Sequence, residues 1–197
     1  MWWFIVLLYV ALDLNYFIRT LCTVVAIALS KRNLKLTETI TTYGICTTQD
    51  VDIFLNHMNN ARFLRELDFA RYQWYGRCRF WTKFNAAGGS VVQGATMIRY
   101  RQMISLLQPF RVETRLVWWD EKSIYFEHKF ITLLDGFIRA VGFSRQVAKK
   151  VNLVAFIGQF EECLSRPPQP DEIRHWLAAN EVSSQQLRKE DNNKKQI

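Results

Sequence analysis

Apolar and polar positions change period several times along this chain. Residues 2–12 and 21–29 are almost unbroken apolar runs, separated by Asp13, Asn15 and Arg19. From Leu36 to Thr47 the alternation of Leu, Ile and Thr with polar residues predicts a strand. A polar loop, 48–60, comes next. Over 60–75 apolar and aromatic residues recur at helical spacing (Ala61, Phe63, Leu64, Leu67, Ala70, Trp74), which predicts an amphipathic helix. Gly76 and Gly88-Gly89 punctuate its end. Period two then returns in Val91–Met103, Phe110–Trp119, Ser123–Leu134 and Gly136–Val147. These read as four strands of a meander with one buried face, with Asp120-Glu121-Lys122 and Asp135-Gly136 as tight turns. Asn152–Leu164 is helical again, Pro167-Pro168-Gln169-Pro170 breaks it, and Asp171–Ala179 predicts a short helix begun by a capping acid. From Ser183 the composition predicts disorder. The expected organisation is an N-terminal segment 1–30, a domain 36–165, and a short helix with a polar tail, 166–197.

The N-terminal segment reads as an anchor or a signal. Thirty helical residues span about 45 Å, against a hydrocarbon core of about 30 Å. A charge at mid-membrane costs roughly 2.5–3.5 kcal/mol, and a strong apolar residue returns roughly 0.3–0.6. The sum is near balance, which suits one spanning helix or a shallow anchor. A secretory signal would begin with a positive charge, yet no Lys or Arg precedes Arg19, although Ala26-Ile27-Ala28 resembles a cleavage site. Lys31, Arg32 and Lys35 come directly after the apolar run and favour a cytosolic domain. The expectation is a membrane-anchored protein of the endoplasmic reticulum facing the cytosol; the alternative is a secreted one.

Composition narrows the chemistry. The 197 residues are 49% hydrophobic and carry a net charge of +8, enough for a core and suited to anionic partners or simply to solubility. The four cysteines form no CxxC pair, so neither a zinc knuckle nor a disulfide framework is indicated. His57, His128 and His175 lack metal spacing, and neither a GxSxG elbow nor a phosphate loop is present. No cofactor and no nucleic-acid partner are expected.

The polar loop is the main functional clue. Asp50, Asp52, Asn56, His57, Asn59 and Asn60 crowd a helix start that needs one capping side chain. Asp52, His57-Met58-Asn59-Asn60, Phe63-Leu64 and Asp68-Phe69-Ala70-Arg71 together resemble the D-x-x-x-H-V-N-N-x-x-Y-L-x-x-x-E-x-x-R pattern of hotdog thioesterases of the 4-hydroxybenzoyl-CoA thioesterase type. Arg99-Tyr100-Arg101-Gln102, Trp119-Asp120 and Leu134-Asp135-Gly136-Phe137 are similar to one branch of that family. The resemblance covers roughly residues 36–165. It implies an α+β hotdog fold, an antiparallel sheet wrapped around a central helix, in a dimer or dimer of dimers. It also implies binding, with or without hydrolysis, of fatty acyl thioesters such as acyl-CoA at a membrane surface; a non-catalytic lipid-binding or scaffold protein is the alternative.

Thioester hydrolysis requires a carboxylate to activate water, donors for the oxyanion, and groups that hold the carbonyl. By this resemblance Asp52 is the candidate base or nucleophile, or else a turn-forming residue. His57 is a candidate to orient the carbonyl or brace the loop. Asn59 and Asn60 present the carbonyl to the helix N-terminus, or one of them caps it. Phe63 and Glu66 on the helix, with Arg99 and Arg101 on a strand, are candidate substrate-binding residues, and Glu66 is a second candidate base. Asp68 and Arg71, at i and i+3, are placed to pair. Asn56 stands where the family often has Gly, and one additional residue separates Asp52 from His57.

Overall fold

The computed structural model describes residues 2, 3, 9, 12–163 and 165–194. Contacts divide the chain into two units, Met1–Ser165 and Arg166–Ile197. The first contains α1 (Leu14–Leu29), β1 (Ile40–Ile45), α2 (Asn60–Arg77), α3 (Phe80–Ala86), β2 (Ser90–Tyr100), β3 (Pro109–Trp119), β4 (Ser123–Thr132), β5 (Ile138–Lys149), α4 (Leu153–Ile157) and a 3-10 turn at Glu161–Cys163; the second contains α5 (Asp171–Lys194).

Helix α2 starts where its sequence requires. The Asn59 side chain accepts the Ala61 N–H at 2.9 Å, so the cap is Asn59 rather than Asn60. Phe63, Leu67, Ala70 and Trp74 are fully buried or nearly so along one side, each large side chain worth roughly 1.5–3 kcal/mol of apolar burial. The N-terminal half of α2 packs with Phe110, Val112 and Phe130, and the C-terminal half with Phe80, Phe84, Phe126 and Phe156. The helix therefore threads the whole core of the antiparallel sheet, the arrangement expected of a hotdog α+β fold.

The sheet order is β1-β3-β4-β5-β2. Strands β3, β4 and β5 form consecutive hairpins. Asp120 closes the first by accepting the Lys122 and Ser123 N–H groups at 2.8 and 2.7 Å, and Gly136 turns the second at φ +66. The expected four-strand meander is corrected at β2, which pairs with β5 at the far edge instead of with β3. The linker 101–108 cannot make a hairpin because other partners take its backbone. Leu107 N–H donates to Cys46 at 2.8 Å, and the Ile104 carbonyl accepts the Met58 N–H at 2.8 Å.

Three helices also differ from expectation. Helix α3 comes after Arg79, whose φ of +51 turns the chain sharply at the end of α2. The 152–164 segment makes only the short α4, capped at Gly158, before the 3-10 turn; Leu164 lies outside the described residues. Helix α5 continues to Lys194 through the stretch expected to be disordered. Its polar residues bond one turn apart: Gln185 to Glu181 at 3.1 Å and Arg188 to Ser184 at 3.0 Å.

The N-terminal segment is described only in part. Residues 4–8, 10 and 11 fall outside the described residues. Helix α1 begins at Leu14, and Asp13 caps it by accepting the Tyr16 N–H at 3.3 Å. At 16 residues, α1 is about 24 Å long, short of a hydrocarbon core of about 30 Å. No helix among the described residues is long and apolar enough to cross a membrane. Helix α1 lies on α2. Arg19 grips Glu66 with both guanidinium nitrogens, Nη2 to Oε2 at 2.7 Å, and sits 4.2 Å over the Phe69 ring. Arg65 pairs with Asp13 at 2.6 Å. Gly76 permits the approach, since a Cβ there would lie 2.6 Å from Ile27 Cγ2.

Candidate active site

The polar loop folds into a small hairpin. Asp50 builds its base: the buried carboxylate accepts the Thr47 N–H and hydroxyl at 2.9 and 2.7 Å. Val51 bridges Met58, and the Asp52 N–H donates to the His57 carbonyl at 2.9 Å. The tip turns at Leu55, with φ +57, leaving Ile53, Phe54 and Leu55 exposed. The Asn59 N–H closes the hairpin's base on Asp50 at 2.7 Å, and the Leu106 N–H holds the hairpin to neighbouring backbone through Asn56 at 3.2 Å.

This geometry sets Asp52 opposite His57. The Asp52 Oδ2 lies 3.6 Å from His57 Nδ1, and the Asn56 side-chain oxygen bonds the same nitrogen. Two acceptors facing Nδ1 make it the N–H donor, so in the neutral ring the lone pair sits on Nε2. The other Asp52 oxygen is buried without a partner among the described residues.

His57, Asn60, Phe63, Tyr100, Arg101 and Met103 line a cavity of about 240 Å³ at the start of α2. Phe63 forms its floor, edge-on to Tyr100 and Phe130 at 5.1 and 4.9 Å. The Tyr100 hydroxyl donates to the Asn60 carbonyl at 3.0 Å, and burial pushes the pKa of this phenol up. Arg101 is held by the Ile138 carbonyl at 3.1 Å and lies 4.9 Å over the Phe137 ring. First-turn N–H groups of a helix lack intrahelical acceptors and carry the positive end of its dipole. Asn59 satisfies the Ala61 N–H, and Asn60, the first residue of α2, lines the cavity.

Four predicted residues thus meet at one cavity: His57, Asn60, Phe63 and Arg101. Asn59 acts one step back as the cap. Asp52 does not line the cavity and reaches it through His57. Glu66 is 2% exposed and clamped by Arg19, facing α1 outside this lining. Arg99 is exposed on β2, outside this lining. Asp68 and Arg71 do pair. Tyr100 and Met103 line the cavity although the sequence pattern does not single them out as site residues; the available signal for Tyr100 is its place on the opposite strand face from Arg99. Among the described residues no cluster of acids, histidines or cysteines has metal-binding geometry.

Residues 46–177 match the thioesterase-like superfamily. The chain is 49% identical over 190 residues to Protein THEM6 of Drosophila melanogaster, covering 95% of this chain and 98% of that one. Among solved structures, YbaW, a probable thioesterase from Escherichia coli, superposes with a TM-score of 0.51 at 20% identity, covering 61% of this chain and 94% of that one. SAV2348 from Staphylococcus aureus, solved in complex with CoA, gives 0.50 at 14% identity over 75% of this chain and 86% of that one.

Proposed function

The chain belongs to the thioesterase-like superfamily, and from that premise we propose that it binds and hydrolyses fatty acyl-CoA at a membrane surface. The carrying observation is the pairing of Asp52 with His57 Nδ1 beside a cavity at a helix N-terminus. In this reading Asp52 is a positioning residue and His57 is the base. Water on Nε2 attacks the thioester carbonyl and its proton passes to the imidazole. The oxyanion is received by the Asn60 N–H. When the tetrahedral intermediate collapses, the C–S bond breaks and the imidazolium returns the proton to the leaving thiolate. Arg101 supports a phosphate-bearing coenzyme at the mouth. A second copy adds along β2, an edge strand of 11 residues.

Membrane contact is assigned to α1 and the segment before it. Support comes from the exposed Phe17, Ile18, Leu21 and Val25, and the basic Lys31, Arg32 and Lys35 favour the cytosolic face of the endoplasmic reticulum. The test is a thiol-release assay of the full chain with a panel of acyl-CoA chain lengths. Asp52→Asn and His57→Gln should each lower kcat by roughly 10²–10⁴; full activity in His57→Gln refutes the base assignment. The second reading, a non-catalytic acyl-binding protein, is favoured by the enclosed Asp52 oxygen. Tight acyl-CoA binding without turnover supports it.

A further inference from the structure

Charge is missing from one end of the domain. Lys, Arg, Asp and Glu make up 22% of the chain, yet residues 39–49, 53–61, 102–110 and 130–134 contain none of them. Backbone hydrogen bonds join these four segments: Leu107 N–H to Cys46 at 2.8 Å, Met58 N–H to Ile104 at 2.8 Å, and Leu133 N–H to Pro109 at 3.0 Å. The acids at their borders are engaged. Asp50 accepts from Thr47, Asp52 faces His57, and Asp135 pairs with Arg139. Arg101, exposed at another border, bonds a carbonyl rather than an acid.

Apolar side chains at this end face outward. Ile53, Phe54 and Leu55 at the hairpin tip are 88%, 75% and 65% exposed, and Leu107 is 66% exposed. His57 bridges Ser105 in the antiparallel sense, so Leu55 and Leu107 are carried to the same end of this short ladder. Both have positive φ, +57 and +62, a conformation in which glycine or asparagine is less strained. Folding alone therefore does not account for two exposed leucines, and a run of three exposed apolar residues is a mark of function. Ile45 and Leu133 line one cavity with Asn15 and Arg19 of α1. Leu14 and Ile18 of α1 line another with Thr47, Thr48 and Gln49. The charge-free end is thus continuous with the exposed apolar face of α1. Ile45 is on β1, at the opposite edge of the sheet from β2, where the second copy adds.

We propose that this end docks on a lipid bilayer, with Ile53, Phe54, Leu55 and Leu107 entering the boundary between headgroups and acyl chains. The inference rests on the membrane contact assigned to α1 and extends it to the hairpin that carries Asp52 and His57. The bilayer then meets the protein beside the candidate site. An apolar tip without charge enters that boundary readily, whereas an ionised side chain resists it. Arg101 at the border suits anionic headgroups.

The test is partition of the full chain onto phosphatidylcholine–phosphatidylserine vesicles, about four to one, read by flotation. The double variant Leu55→Asn with Leu107→Asn should bind at least about tenfold more weakly. It should melt no lower than the parent, because asparagine tolerates both backbone conformations. Phe54→Ser alone should also weaken binding about tenfold. The difference between parent and double variant should persist at about 1 M salt, which screens basic residues from headgroups but not apolar insertion. If the parent binds vesicles and the double variant binds them equally well, this proposal alone is overturned and the bilayer is left to α1. If the parent does not bind, the membrane contact of α1 falls with it, while thiol release still measures hydrolysis separately. A double variant that is monomeric by sedimentation velocity where the parent is a dimer also overturns the proposal, making this end a contact between copies.

Discussion

The Arg19–Glu66 pair ties α1 to the central helix, and removing its charge should loosen that contact by a measurable amount. The Glu66 side chain is 3% exposed and that of Arg19 is 27% exposed. Glu66→Gln keeps the shape and removes the charge. The Gln amide oxygen can accept only one of the two Arg19 bonds, and its NH2 meets the other guanidinium nitrogen donor to donor, so one charged hydrogen bond, about 1.5–3 kcal/mol, is lost. Breaking a fully buried pair costs about 3–5 kcal/mol; the partial exposure of Arg19 lowers the figure here. Arg19→Met combined with Glu66→Gln leaves no buried unpaired charge and should cost less than the sum of the two single changes, with a coupling of about 1–2 kcal/mol. Urea unfolding of the four proteins, with unchanged m-values, measures this cycle. A coupling below about 0.5 kcal/mol would refute the reasoning and mean that α1 does not rest on α2 through this pair.

Three more outcomes are expected. His128 is fully buried between the Thr114 and Ser144 hydroxyls, each 2.9 Å away, and burial, reinforced by Arg71, pushes its pKa from 6.5 down to about 3. The native imidazole stays neutral while the unfolded one takes a proton. Stability should therefore fall by about 1.4 kcal/mol per pH unit below about 6.5, and His128→Gln, compared with the parent by denaturant titration across pH, should remove that part of the slope. Gly76→Ala should destabilise by about 1–2 kcal/mol, the overpacking against Ile27 exceeding the helix-propensity gain, and Ile27→Ala in the same chain should recover most of the loss in thermal melts. Asn59→Ala should cost about 1 kcal/mol through the lost cap, read in the same melts.

Much of the fold is legible in the sequence because its determinants are local. The α2 register comes from Phe63, Leu67, Ala70 and Trp74, and the β3–β4 and β4–β5 turns from Asp120 and Gly136. The illegible parts depend on distant partners. Alternation marks β2 as a strand but does not say which strand it joins, and the backbone of 101–108 is taken by residues around 46–58. The α5 extension past Ser183 is hidden from composition, which does not count bonds one turn apart.

The candidate site divides in the same way. The polar loop, the helix start and the residue types that suit thioester chemistry are written in the chain, because caps, turns and periodicity act within a few residues. Which of those side chains share a cavity depends on packing. His57, Asn60, Phe63 and Arg101 do; Asp52 stands behind His57 across a hairpin, and Glu66 turns away to an arginine 47 residues earlier in the chain. A buried carboxylate goes to whichever cation the packing brings within reach, and sequence spacing does not encode that distance.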